Sequence, residues 1–163
     1  MFKKLFKKKD SSVDLISPLT GNVVPLEDVP DQVFSQKMMG DGIAVQPTAN
    51  LVVSPIDGEV VDVFKTKHAI SLRGDNGAEI LMHMGLETVE LNGEGFDIKV
   101  KNGDKIKQGD SLAEIDVDGI SNKGYKTITP IILVNGDDYE LTNVSTEKEV
   151  KAGSDILFHL EGK

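Results

Sequence analysis

From residue 15 onward the chain alternates short apolar runs with turn-forming punctuation. The runs GEVVDVF (58–64), HAISL (68–72), EILMHM (79–84), FDIKV (96–100), SLAEIDV (111–117), TPIILV (129–134) and DILFHL (155–160) are rich in Val, Ile and Leu. Between them stand GDNG (74–77), NGEG (92–95), NGD (102–104) and NGDD (135–138). Many short strands at this spacing predict an all-β protein, an antiparallel sandwich or barrel. No segment has the apolar period of a helix longer than about two turns. The best short helices fall around residues 30–36 and 119–125.

Two stretches echo each other. Ser17-Pro18-Leu19-Thr20-Gly21-Asn22-Val23-Val24 returns as Ser54-Pro55-Ile56-Asp57-Gly58-Glu59-Val60-Val61, and Val100-Lys101-Asn102-Gly103-Asp104 as Val150-Lys151-Ala152-Gly153-Ser154. A duplicated β-motif accounts for both, and turn chemistry used twice is the plainer alternative. Either way the halves are too small to bury separate cores, so residues 15–163 are expected to fold as one domain behind a basic tail, residues 1–14. In that tail Phe2, Leu5 and Phe6 fall at helical spacing, with Lys3, Lys4, Lys7, Lys8 and Lys9 on the other faces. It reads either as a solvated arm or as a short amphipathic anchor on an anionic membrane surface.

Composition narrows the chemistry. The 163 residues include no cysteine, which removes disulfides, thiolate metal sites and cysteine nucleophiles together and points to a cytoplasmic protein. The net charge of −9 speaks against a nucleic-acid partner. It is also an average: five of the 18 basic residues lie in residues 1–9, leaving 13 against 27 acidic ones in the rest. No stretch is long and apolar enough to span a membrane. No phosphate-binding Gly loop, HExxH, EF-hand or GxSxG pattern occurs.

Histidines number three, His68, His83 and His159. His159 alternates with Ile156, Phe158 and Leu160 and reads as a structural strand residue. His68 and His83 flank GDNG. A hairpin centred between Asp75 and Asn76 sets them directly opposite each other, and a turn at Asn76-Gly77 makes them diagonal neighbours. Only the intermediate slip of one residue sends them to opposite faces. In the paired registers Thr66 and Ile70 share the face of His68, Leu81 and Gly85 that of His83, and Ala69, Ser71, Met82 and Met84 take the other side. Thr66 is then placed to bond His68 Nδ1, which sets the outward nitrogen. Such a pair allows zinc binding with Glu79 or Glu87 as third ligand, general acid–base catalysis, or phosphorylation of one imidazole with the other contacting the transferred oxygens. It also allows two stacked surface histidines with no function.

Longer segments carry a resemblance. Glu27-Asp28-Val29-Pro30-Asp31-Gln32-Val33-Phe34, Gly40-Asp41-Gly42-Ile43-Ala44-Val45, Pro47-Thr48, Ser54-Pro55-Ile56-Asp57-Gly58, Thr66-Lys67-His68-Ala69, His83-Met84-Gly85-Leu86-Glu87-Thr88-Val89-Glu90-Leu91 and Gly93-Glu94-Gly95-Phe96 resemble, in order, the glucose-type enzyme IIA family of the bacterial phosphoenolpyruvate-dependent sugar phosphotransferase system. The resemblance implies an antiparallel β-sandwich with Greek-key and jelly-roll features. It implies phosphorylation of His83 through Nε2, with His68 stabilising the phosphoryl group and Thr66 orienting His68. The implied donor is the phosphohistidine of the carrier HPr, and the acceptor a cysteine on the IIB domain of a membrane sugar permease, with no cofactor and no required metal, in a monomer. Val33, Phe34, Met38, Met39, Phe64, Leu81 and Val89 match the family's apolar docking patch, and Asp31, Glu87 and Glu90 are expected on an acidic rim that steers a basic partner. The family more often has aromatic or branched residues at 38, 39 and 81. The family's N-terminal tails also favour the membrane-anchor reading of the lysines.

Two rival readings stand beside it. One is a zinc-dependent hydrolase built on His68, His83 and a carboxylate. The other is a binding module, against which stand a GDNG hairpin tip without the lysine a lipoyl domain needs and a chain without tryptophan for stacking on sugars. Phosphoryl acceptance requires an unprotonated His83 Nε2, so transfer should weaken as pH falls.

Overall fold

The computed structural model describes residues 11–163. Lys3, Lys4, Lys7, Lys8 and Lys9, and with them the membrane-anchor reading, lie outside the described residues. The strands are β1 (Val13–Ile16), β2 (Gly21–Pro25), β3 (Asp41–Pro47), β4 (Leu51–Val53), β5 (Gly58–Val63), β6 (Ala69–Gly74), β7 (Glu79–His83), β8 (Phe96–Ile98), β9 (Lys105–Ile106), β10 (Ser111–Ile115), β11 (Thr129–Leu133), β12 (Tyr139–Thr142), β13 (Glu149–Val150) and β14 (Ile156–Gly162). Among the described residues helix is confined to α1 (Gln32–Ser35), α2 (Val117–Asn122) and two 3₁₀ turns, Leu26–Asp28 and Thr88–Leu91. The expected all-β antiparallel sandwich is the fold that forms. No described helix is long and apolar enough to cross a membrane.

An eight-stranded sheet runs in the order β13-β2-β3-β11-β7-β6-β5-β9, and two three-stranded sheets, β1-β14-β12 and β4-β10-β8, accompany it. The central strands of the large sheet read as nearly continuous apolar text because both of their faces are covered. Ile43, Val45, Ile70, Leu72, Ile80, Met82, Ile131 and Leu133 join the main core with Phe96, Leu112, Leu157 and Phe158. The alternate positions Ala44, Ala69, Leu81 and Ile132 turn the other way and meet Leu26, Val29, Phe34 and Leu86 in a second, smaller cluster. That second face carries the site.

The echo between residues 17–24 and 54–61 is a structural one. Ser17 and Ser54 are fully buried. Ser17 Oγ donates to Leu19 O at 2.6 Å, as Ser54 Oγ does to Ile56 O at 2.7 Å. Gly21 and Gly58 then open β2 and β5 so close to the neighbouring strand that a Cβ on either would stand 2.0 Å from a backbone oxygen. The two motifs also bond one another, Ile16 N to Pro55 O at 3.1 Å and Val53 N to Pro18 O at 2.9 Å. The sheet order is accordingly symmetric about the β11–β7 pair, where Ile131 faces Met82. The partner of residues 150–155 under this symmetry is residues 106–110: Gly153 N donates to Ser17 O as Gly109 N does to Ser54 O, each at 2.9 Å. The similarity of 150–154 to 100–104 is turn chemistry alone.

His159 holds a seam of the sandwich. It faces Asp14 across the β1–β14 ladder, its Nδ1 lies 2.7 Å from Asp14 Oδ1, and its Nε2 lies 3.0 Å from Ser12 Oγ.

Candidate functional site

The hairpin takes the register that was expected to separate the histidines. Ala69 faces His83, Ile70 faces Met82 and Arg73 faces Glu79. The cause is the turn. Gly77 adopts φ +91°, Gly74 N donates to Ala78 O at 2.8 Å, and the loop between them holds three residues rather than two. Asn76 Oδ1 accepts from Ala78 N at 3.0 Å and closes it. Ala69, Leu81 and His83 therefore share one face, and Ile70 and Met82 the other, a correction to the faces read from the sequence.

His68 nevertheless lies against His83. It precedes β6, and Lys67 just before it sits in the left-handed region at φ +62°, outside the strand pleat. Lys67 N donates to Phe64 O and Phe64 N to Ala69 O, at 2.7 and 3.0 Å, closing a small loop at the strand end. Strand alternation thus ends before His68, and the two imidazoles meet with centroids 4.9 Å apart and planes at 78°. Phe34 stands 5.0 Å from the His83 ring, and Phe64 meets the His68 ring edge-on at 5.6 Å.

Hydrogen bonds orient both rings. His83 Nδ1 lies 2.7 Å from Gly85 O. A carbonyl only accepts, so Nδ1 carries the proton and the neutral ring's lone pair is on Nε2. Thr66 Oγ1 lies 2.7 Å from His68 Nδ1. His68 is buried, and burial first, then the neighbouring His83 charge, pushes its pKa down to about 4. Burial also lowers that of His83, opposed by the Gly85 bond and by Asp31. At neutral pH the pair is uncharged, which is the state a nucleophilic imidazole needs.

The surroundings are apolar and open. Val33, Met38, Met39, Phe64 and Val89 are exposed, Met38 most of all at 69%. Phe34 and Leu81, grouped with them in the sequence reading, are buried beneath the patch in the second cluster. A strand flanked on both sides hides Leu81, and α1 turns Phe34 inward. Lys37 Nζ bridges Glu27 at 3.2 Å and Asp41 at 3.3 Å, steadying the loop that presents Met38 and Met39. Asp31 caps α1, accepting from Val33 N at 2.9 Å. Glu87, at φ +60°, leads into the 3₁₀ turn that carries Val89 and Glu90.

The zinc-hydrolase reading is not supported. Among the described residues no group of three or more metal-ligating side chains comes together. Glu79 sits at the far end of β7 from His83 and pairs with Arg73 at 3.5 Å. The functional part that sequence reasoning missed is a backbone atom, the Gly85 carbonyl, which no side-chain pattern announces.

Fold and site together define a class: an antiparallel β-sandwich that holds a neutral, oriented histidine pair beside exposed apolar side chains. Residues 13–139 match the family described as phosphoenolpyruvate-dependent sugar phosphotransferase system, EIIA 1. The chain is 50% identical over 164 residues to the PTS system glucose-specific EIIA component of Oceanobacillus iheyensis, covering 98% of this chain and 99% of that one. It is 47% identical over 156 residues to the protein of the same name from Staphylococcus epidermidis, covering 94% of each. Among solved structures, the glucose permease IIA from Mycoplasma capricolum superposes with a TM-score of 0.85 at 34% identity, over 91% of this chain and 95% of that one. The chain belongs to the EIIA 1 family of the sugar phosphotransferase system, and is a phosphocarrier component of that system.

Proposed function

We propose that His83 takes a phosphoryl group on Nε2 from the phosphohistidine of HPr and hands it to a cysteine of the IIB domain of a sugar permease, in the cytoplasm. The relatives' names make a glucose permease the first acceptor to test. The observation that carries this reading is the Gly85 bond, which commits the His83 proton to Nδ1 and leaves Nε2 as the nucleophile. As the N–P bond to His83 forms, the N–P bond in HPr breaks; onward transfer exchanges the His83 N–P bond for an S–P bond.

His68 complements this. With Thr66 donating its hydroxyl proton to Nδ1, His68 carries its own proton on Nε2 and can donate it to a phosphoryl oxygen on His83. Val33, Met38, Met39, Phe64 and Val89 supply a dry docking surface for both partners, and adaptable methionines suit its reuse. Asp31, Glu87 and Glu90 steer a basic carrier.

Incubation of the full chain with phosphoenolpyruvate, enzyme I and HPr, followed by mapping of the acid-labile phosphate, tests the reading. Label on His83 is expected. Label elsewhere, or none, overturns it.

A further inference from the structure

The His83 acceptor, Gly85 O, belongs to a peptide unit that is itself held. A trans peptide points its C=O and N–H in opposite directions. The N–H of this unit is that of Leu86, and it donates to Lys126 O at 3.0 Å. Its carbonyl is thereby turned away from Lys126 and toward His83. Gly85, at φ +86°, is gripped from two sides: a Cβ there would stand 2.6 Å from Thr88 Cγ2 and 2.7 Å from Lys126 O.

The preceding peptide is fixed by a side chain. Thr88 is fully buried, and its Oγ1 donates to Met84 O at 2.7 Å. On its other side Met84 N donates to His68 O at 2.7 Å. Met84, next to His83 in the chain, therefore bonds the backbone of His68 through its N–H and the Thr88 hydroxyl through its carbonyl. A threonine hydroxyl buried only to close its own turn would have no bearing on either imidazole. Here it bonds the Met84–Gly85 backbone, which reaches His68 through Met84 N and His83 through Gly85 O.

We propose that Thr88 is a positioning residue of the histidine pair: through Met84 and Gly85 it holds the carbonyl that keeps the His83 proton on Nδ1. The effect on phosphoryl transfer rests on the proposed role of His83; the effect on the tautomer does not. Thr88→Val keeps the shape and removes the hydroxyl, leaving Met84 O without its donor. Freed from that restraint, the Met84–Gly85 segment relaxes and the Nδ1 bond loosens.

The test uses the full chain with ¹⁵N-labelled histidine, reading the His83 imidazole nitrogens by NMR and phosphoryl uptake from phospho-HPr by rate. Thr88→Val is expected to shift His83 from a single Nδ1–H form toward a mixture and to slow uptake roughly fivefold, the scale of one hydrogen bond. Thr88→Ser, which keeps the hydroxyl, is expected to preserve the wild-type tautomer. An unchanged tautomer in Thr88→Val overturns the proposal, as does an equal shift in Thr88→Ser. A shifted tautomer with unchanged uptake leaves Thr88 as the positioning residue and counts instead against His83 as the acceptor. If Thr88→Val fails to fold, Thr88→Ala replaces it in the comparison with Thr88→Ser under the same criteria.

Discussion

The imidazoles of His68 and His83 meet edge to face, 4.9 Å between centroids, although Ala69 and not His68 is the cross-strand partner of His83. The contact comes from the end of a strand rather than from its pleat, and it makes the two rings chemically unequal. His83 is tied to a carbonyl through Nδ1 and His68 to a hydroxyl through the same atom. Their glutamine variants should therefore fail differently. His83→Gln should take up no phosphoryl group from phospho-HPr. His68→Gln should still take it up but pass it on slowly, by about one hundredfold, because the glutamine amide lacks the Thr66-oriented geometry of the imidazole Nε2–H and so misplaces an oxyanion-stabilising donor. Rapid-quench measurement of both half-reactions separates the two, and equal loss of both steps in the two variants would refute the division of labour.

Acid should remove activity and stability together. The folded state depresses the pKa of His68 to about 4, against 6.5 for the unfolded chain, by burial first and by the His83 charge second. Between those values the unfolded chain binds the additional proton, so stability present above pH 6.5 declines as pH falls toward 4. His83 is displaced in the same direction, so uptake should persist somewhat below pH 6.5 before it fails. Urea unfolding at pH 7 and pH 4.5 checks the first point: the loss of stability between the two should be smaller in His68→Gln than in the wild type. An equal loss in both places the acid sensitivity elsewhere.

The strand runs around β5, β6, β7, β10, β11 and β14 and both short helices were legible because burial on one or two faces leaves a direct trace in residue type. Register was less so. It turned on whether the GDNG loop closes over two residues or three, and that depends on Gly77 taking a left-handed conformation that Asn76 could also have taken. The pairing of His68 with His83 was anticipated, but for a reason that does not apply. The actual one, a left-handed lysine at the strand end, has no sequence signature: Lys67 is not a residue that announces φ +62°. The apolar patch was drawn too large for a related reason, since a residue's membership of a surface does not distinguish Phe64, which is exposed, from Phe34, which is buried.

That distinction separates docking from folding. Phe64 and Met38 are exposed, and Phe64 meets the His68 ring, so Phe64→Ala and Met38→Ala should weaken the complex with HPr. Met38→Ala should leave the unfolding free energy within about 0.5 kcal/mol of wild type, and Phe64→Ala should cost about 1 kcal/mol for the lost ring contact. Leu81 lies buried in the second cluster beneath the histidines, so Leu81→Ala should cost about 2–5 kcal/mol of stability. Calorimetric titration with HPr, set beside urea unfolding of each variant, distinguishes the groups. A large stability loss in Met38→Ala would move that residue from the surface into the core.

Asp31 bears on the histidine pair as well as on α1. It caps α1 through Val33 N and raises the His83 pKa against the effect of burial. Asp31→Asn retains an oxygen for the cap and removes the charge. The His83 pKa, followed by NMR, should then fall, and association with a basic carrier should slow at low ionic strength. The association difference should shrink as salt is raised and the charges are screened, whereas the pKa difference, acting within the folded protein, should persist longer. A His83 titration unchanged by Asp31→Asn would detach Asp31 from the pair and leave it only the cap and the rim.

The duplicated motif offers a test of how the sandwich is joined. Ser17 and Ser54 are fully buried and each bonds a carbonyl two residues on, at Leu19 and at Ile56. Replacing either by alanine leaves that carbonyl without its partner, at a cost of about 1–3 kcal/mol. Were the motifs independent turns, the two losses would add to within about 0.5 kcal/mol. They are not independent, because Ile16 N donates to Pro55 O and Val53 N to Pro18 O, so each serine steadies a segment that the other motif binds. Loosening one already loosens the joint, and the second substitution then has less order left to remove. Ser17→Ala combined with Ser54→Ala should therefore lose less than the sum of the single variants, measured by urea unfolding. Phosphoryl uptake should stay near wild type throughout, because the joint contacts neither imidazole; strict additivity would show that the two halves, though duplicated, stand separately.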